Sequence, residues 1–198
     1  MMQYSEPTRR RFMMTGALAA GGVALGAPAL AQQLVPTPEC RDGDEPTVRQ
    51  TEGPFFKPRS PERADLREPG LSGRTMELAG LVLSRSCQPI AGALVDLWHA
   101  DAEGDYDDKG FRCRGHQFTD AQGRYKFHTI VPAVYPGRTR HFHVKVQAPR
   151  QGVLTTQLYF PSEAQNSRDG LFRRELLMRV ADAGPPQAAR FDFVLNLR

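Results

Sequence analysis

The chain has 198 residues, enough for one domain or two small ones, and carries 18 glycines and 16 prolines, well above the roughly 12% usual for the two together. Punctuation this dense, spread along the chain, excludes a long helical bundle or coiled coil, and no apolar run reaches the ~20 residues of a membrane-spanning helix. A hydrophobic content of 40% still permits the core of one ordinary domain, and a formal charge of +4 raises the question of a nucleic-acid partner.

Residues 1–31 read as an export signal. Thr8-Arg9-Arg10-Arg11-Phe12 precedes an apolar, Gly/Ala-rich stretch from Thr15 to Leu30, and Ala29-Leu30-Ala31 supplies the small residues that a signal peptidase requires. Paired arginines ahead of a phenylalanine resemble a twin-arginine signal, which implies export of an already folded chain to the periplasm or beyond. The leader's three arginines and one glutamate hold half of the formal charge. The rest is too small and too dispersed for nucleic acid, and no membrane association is expected once the signal is removed. Cys40, Cys87 and Cys113 are an odd number in an oxidising compartment, so one disulfide and one free thiol are expected, with all three pairings open.

Residues 32–74 read as an extended N-terminal arm and loop, rich in proline and charge, with Thr51-Glu52-Gly53-Pro54-Phe55-Phe56 inside it. From Met76 the chain becomes strand-like. Short apolar or alternating runs at Met76–Ser84, Ala93–His99, Arg124–Thr129, His141–Gln147, Leu154–Phe160 and Phe191–Leu197 predict strands, and Asp120-Ala121-Gln122-Gly123 predicts a turn. Leu171, Phe172, Leu176, Leu177 and Val180 fall near helical spacing and predict a helix over Gly170–Ala183. The sum is an all-β fold, an antiparallel β-sandwich over residues 75–198 with long loops and at most one or two short helices.

His141-Phe142-His143-Val144-Lys145-Val146 is the sharpest chemical signal. Side chains alternate faces along a strand, so Phe142, Val144 and Val146 pack on one side and leave His141 and His143 adjacent on the other, where two imidazoles can converge on one metal ion. The acid that a cupin places shortly after its histidine pair is missing from Lys145 to Pro149. A Cu/Zn superoxide dismutase would need more of the five histidines than this chain can spare. Tyrosine is the better lead. Tyr135 lies in Pro132-Ala133-Val134-Tyr135-Pro136-Gly137-Arg138, which runs into His141, and Tyr106 ends a loop that follows Trp98-His99. Two phenolates with two imidazoles form a hard, anionic donor set that favours ferric iron. Tyr125 and Tyr159 lie inside strands and read as packing aromatics. His99 reads as structural, His116 and His128 as surface or packing residues, and Asp96 and Asp101 as turn or orienting acids.

At these residues the chain resembles the intradiol ring-cleavage dioxygenases, the family of catechol and protocatechuate dioxygenases. The resemblance runs through Thr51–Phe56, Asp96–Tyr106, Thr119–Phe127, Pro132–Arg138, His141–His143 and Thr155–Phe160, in the family's order, and the leader resembles an exported branch of it. It implies a non-haem Fe(III) bound by Tyr106, Tyr135, His141 and His143. It also implies that Arg138 stabilises charge on the substrate ring, that Gln157 lies beside that arginine, and that Pro54 and Phe55 lie near the pocket mouth. The implied activity is that of an oxidoreductase that inserts both atoms of O2 into a catecholic ring and yields a cis,cis-muconate-type diacid, with Tyr135 also serving as a proton acceptor. A small-molecule catechol and O2 are the implied partners, and a homo-oligomer is left open. Two departures from the family stand out: only five residues separate Tyr135 from His141, and the helical dimerisation domain of catechol dioxygenases is absent from this sequence. The competing readings are a non-catalytic exported β-sandwich binding module and a Cu/Zn superoxide dismutase-like metal enzyme.

Overall fold

The structure is a computed structural model that describes Cys40, residues 45–181 and residues 184–197, so the expected leader lies outside the described residues. Among the described residues are nine strands: β1 (Thr75–Ser84), β2 (Leu94–Trp98), β3 (Arg114–Phe118), β4 (Arg124–Ile130), β5 (His141–Gln147), β6 (Leu154–Tyr159), β7 (Arg179–Ala181), β8 (Gln187–Arg190) and β9 (Phe193–Leu195). The first sheet runs β4-β1-β8-β7 with β9 also on β1, and the second runs β3-β2-β5-β6. The second sheet is wholly antiparallel, whereas β1 takes β8 and β9 as short parallel neighbours.

Period-two patterning builds the core. Met76, Leu78 and Val82 of β1 face Val95 and Leu97 of β2, Phe127 of β4, Phe142, Val144 and Val146 of β5 and Leu158 of β6 within one buried cluster. Each of these side chains contributes about 1.5–3 kcal/mol by leaving water. The outward faces of β2, β5 and β6 are therefore free to carry polar chemistry.

Loop residues close the β3, β4 and β6 edges. Segment 60–66 bridges Glu62 to His116 on β3 and Asp65 to His128 on β4, in parallel sense. The arm bonds to β6 through Gln50 N→Thr155 O (2.8 Å) and Thr156 Oγ1→Val48 O (2.7 Å). A Cys40–Cys87 disulfide joins that arm to the turn after β1, which decides between the three pairings, and Cys113 is the buried free thiol.

The helix expected over Gly170–Ala183 is absent. Described residues there form a single 3-10 turn at Arg174–Leu176 followed by β7, and a second short turn lies at Ala164–Ser167. The apolar residues that suggested helical spacing are claimed one by one by tertiary partners: Leu176 enters the core, Phe172 packs edge-on against Tyr159, and Leu177 bridges to Tyr159. Three short strands, β3, β7 and β8, carry too little alternation to be seen in the sequence. β3 (Arg-Gly-His-Gln-Phe) is polar because its outward face belongs to the site.

Gly80 in the middle of β1 marks where another backbone passes: a Cβ there would lie 1.8 Å from the carbonyl oxygen of Phe191. That carbonyl also accepts the Tyr125 hydroxyl at 2.7 Å, so it is not free to move. Gly80→Ala is expected to destabilise the protein by about 2 kcal/mol or more, as overpacking does. A thermal or urea unfolding midpoint equal to that of the parent protein would contradict the packing described here.

Candidate active site

Register on the second sheet places the site. Trp98 on β2 pairs with Arg114 on β3 and with His143 on β5, and His143 pairs with Gln157 on β6. Cross-strand partners share a face, so Arg114, Trp98, His143 and Gln157 form one row across the outer side of the sheet. The adjacent row is His116, Asp96, Lys145 and Thr155, and His141 opposite Tyr159 continues the face at the other end.

Tyr106, carried on the loop after β2, closes over His141 and His143. Its Oη lies 3.3 Å from His141 Nε2 and 3.1 Å from His143 Nε2, and the two Nε2 atoms are 3.1 Å apart. His141 Nδ1 is 2.6 Å from the Thr139 carbonyl, which can only accept, so Nδ1 carries the proton and Nε2 presents a bare lone pair. The Tyr106 hydroxyl has one hydrogen and neutral His143 has one. At most two of the three contacts can therefore be hydrogen bonds, and one sets lone pair against lone pair. A cation among the three atoms would remove that conflict, and two imidazoles with a phenolate oxygen suit a 3d metal such as ferric iron. These residues fit the metal that the sequence implied. Among the described residues no cluster of three or more His, Cys, Asp or Glu side chains could hold a metal ion.

Tyr135 stands as a ring neighbour of this triangle, edge-on to Tyr106 at 5.8 Å between centroids. Phe55 lies flat on Tyr106 (4.4 Å, 9°) and edge-on to Tyr135 (5.4 Å). Gly53, at φ +70, brings its backbone against His143, where a Cβ would stand 3.3 Å from Cε1. Pro54 is exposed between them. The His143 ring lies flat against Trp98 (5.0 Å, 10°), and this stacking orients it, because its buried Nδ1 has no hydrogen-bond partner.

Arg138 is mostly buried and held at two points: Nε donates to Asp169 Oδ2 (2.9 Å) and Nη2 to Gln157 Oε1 (2.6 Å). Asp169 also accepts Thr139 N and Leu171 N, and Gln157 Nε2 donates to the Thr51 carbonyl. The guanidinium is thus a fixed cation beside the histidines. Burial, and after it the Arg138 charge, holds the His141 imidazole down at about 4. Burial, His141 and Arg138 hold His143 well below its ordinary value. Burial pushes the Tyr106 phenol up while Arg138 and Arg114 pull against it. A cleft of about 700 Å³ bordered by Ala133, Val134, Arg140 and Phe160 touches none of the donor atoms, so volume alone would direct attention elsewhere.

The family model described as Dioxygenase matches residues 51–196. The chain belongs to the intradiol dioxygenase family. It is 33% identical over 158 residues to catechol 1,2-dioxygenase 2 of Acinetobacter lwoffii, covering 63% of this chain and 58% of that one. To hydroxyquinol 1,2-dioxygenase of Rhodococcus opacus it is 32% identical over 173 residues, 83% of this chain and 54% of that one. The dioxygenase domain of a dioxygenase–carbohydrate-binding fusion from Streptomyces sp. SirexAA-E superposes with a TM-score of 0.76 at 52% identity, over 78% of this chain and all of that one. The chain thus spans little more than half the length of these curated relatives.

Of the residues singled out from the sequence, Tyr106, His141 and His143 meet atom to atom, Arg138 meets Gln157, and Tyr135, Pro54 and Phe55 lie around them. Asp169, Thr139 and Lys145 were not foreseen. Asp169 sits in a polar loop with no periodicity, the Thr139 contribution is a backbone carbonyl, and the partners of Lys145 are distant in sequence. Tyr125 is buried in the core as expected. Tyr159 is buried opposite His141, its hydroxyl near Gln157 Oε1 (3.0 Å) and the Leu171 carbonyl (2.9 Å). His99 is structural, its two ring nitrogens taken by Ala100 O and Thr129 Oγ1, both at 2.7 Å.

Burial likewise holds the His99 imidazole down at about 4. Unfolded imidazoles titrate near 6.5, so between pH 6.5 and about 4 the unfolded chain binds more protons than the folded one. Stability of the metal-free protein should therefore be complete above pH 6.5 and fall as pH drops toward 4. Urea unfolding across that range, with imidazole NMR to follow the His99 and His141 titrations, would refute this if the rings protonated near 6.5.

Proposed function

We propose that the chain is an exported, non-haem Fe(III)-dependent enzyme that cleaves a catecholic ring between its two hydroxylated carbons with O2. The observation that carries this reading is the Tyr106–His141–His143 triangle, with edges of 3.1–3.3 Å, beside a fixed guanidinium. Tyr106, His141 and His143 would hold the ion, with Tyr135 as the fourth donor. Ferric iron held there would supply Lewis acidity toward a diol and draw electron density from its ring, which would open the ring to O2.

The chain's own residues supply the remainder. Tyr135, as a phenolate, would be the base that takes a diol proton, while Tyr106 would stay with His141 and His143 to hold the ion. Arg138 is always charged and is already oriented by Asp169 and Gln157, so it can stabilise negative charge on the ring without reorganisation. Phe55 and Pro54 wall the entrance, and the flat Phe55 ring keeps water from Tyr106. The product of such a reaction is a cis,cis-muconate-type diacid.

Export is supported by the leader motif and by the Cys40–Cys87 disulfide, which suits an oxidising compartment. Arg9→Lys with Arg10→Lys is expected to leave the precursor in the cytoplasm, and unchanged export in a fractionation assay would point to the general secretory route.

The enzymatic reading predicts purified protein with about one iron per chain, a visible tyrosinate band that shifts when catechol is added without oxygen, and turnover when oxygen enters. Arg138→Leu should keep the iron and the band yet lose roughly 10²–10³-fold in turnover, the range for one preorganised electrostatic group. Protein holding copper and zinc without iron would select a superoxide dismutase-like enzyme. Metal-free protein would select a binding module.

A further inference from the structure

Lys145 lies two residues beyond His143 on the same face of β5. Its side chain is 16% exposed, and its ammonium is taken three ways: Glu52 Oε2 at 2.7 Å, Thr155 Oγ1 at 2.9 Å, and the Phe56 ring with its centroid at 4.5 Å. Asp96 stands opposite it in the β2 register, and the Lys145 charge acts on that buried carboxyl. Two of the three attachments, Glu52 and Phe56, belong to the segment whose Gly53 backs onto His143 and whose Phe55 lies flat on Tyr106. Phe56 packs against Trp98 at 5.0 Å, and Trp98 lies flat on His143.

We propose that Lys145 is a positioning residue that clamps the Gly53–Phe56 segment over the donor triangle, and so sets the placement of Tyr106 and of the His143 ring. An exposed ion pair alone would do little, because ordering two long side chains offsets the attraction. Here the lysine is already immobilised by Thr155 and by burial, and Phe56 adds a cation–π contact, so little freedom remains to be lost when Glu52 closes. The clamp acts at a distance from any substrate, through the Phe56–Trp98–His143 stack on one side and Phe55–Tyr106 on the other.

Trp98 is the chain's single tryptophan, so its fluorescence reports on that stack directly. In Lys145→Met, Trp98 emission should change, and amide exchange across residues 51–56 should quicken by roughly three- to tenfold, as expected for losing a cation–π contact and an ion pair. Exchange in β1 should stay as it was. Lys145→Arg should restore most of both, since a guanidinium also stacks on a ring and pairs with a carboxylate. Lys126→Met, which removes an exposed pair with Glu77, should change neither. Unchanged Trp98 emission and unchanged exchange in Lys145→Met would overturn the proposal. If that variant fails to fold, Glu52→Gln at the half-exposed end of the clamp decides it by the same two readings.

The consequence for turnover, a KM for the diol that rises more than kcat falls, rests on the enzymatic reading above. Fluorescence and exchange do not. Failure of the enzymatic reading would therefore leave the clamp intact in these measurements, and failure of the clamp would leave iron binding and ring cleavage intact.

Discussion

The register of β5 against β2 and β6 is the constraint on which the rest of the molecule depends. In that one register Phe142, Val144 and Val146 point into the core, while His141, His143 and Lys145 point out and line up with Trp98 and Asp96 on one side and Gln157, Thr155 and Tyr159 on the other. A slip of one residue would exchange the two sets and place imidazoles among leucines. Core packing thus enforces which set of side chains faces the site, because a one-residue slip would turn the apolar face outward.

A polar face on a sheet has to be covered if its chemistry is to be sheltered from water, and three loops do this. The loop after β2 carries Tyr106 and is pinned by Asp101, whose Oδ1 accepts the backbone N–H groups of Glu103 and Asp105 while Oδ2 meets Arg112. The acid thus works as a turn cap, as its place beside a turn suggested. The N-terminal arm runs along β6, tied at Cys40, and delivers Gly53–Phe56 to the histidines. The loop before the first 3-10 turn and the residues after it bring Asp169 to Arg138.

Electrostatics and packing act together at this face. Burial keeps His141 and His143 neutral, so the His141 Nε2 lone pair is available, and the Arg138 charge reinforces that by opposing protonation. The same charge lowers the basicity of Tyr106 against the effect of burial. The guanidinium stands close to buried imidazoles, and Asp169 and Gln157 hold it there through charge-assisted hydrogen bonds. A fixed positive charge beside the Tyr106–His141–His143 triangle favours negative charge there.

Much of the fold and several residues of the candidate site were legible in the amino-acid order, because their signals are local. Alternation in His141–Val146 and Met76–Ser84 follows from the two-residue repeat of a strand, and the loop tyrosines stood beside the histidine motif or directly after a strand. Other features depend on contacts between distant parts of the chain. The apolar residues of 171–180 had helical spacing, yet long-range partners (Tyr159 and the core) hold them in a turn and a strand. The choice of Cys40 for Cys87, the carbonyl of Thr139 that sets the His141 tautomer, and Asp169 beside Arg138 each join residues by proximity in space. Local periodicity records which way a side chain points. Only the folded chain decides what it meets, because those meetings are made by packing across the two sheets and leave no mark on neighbouring residues.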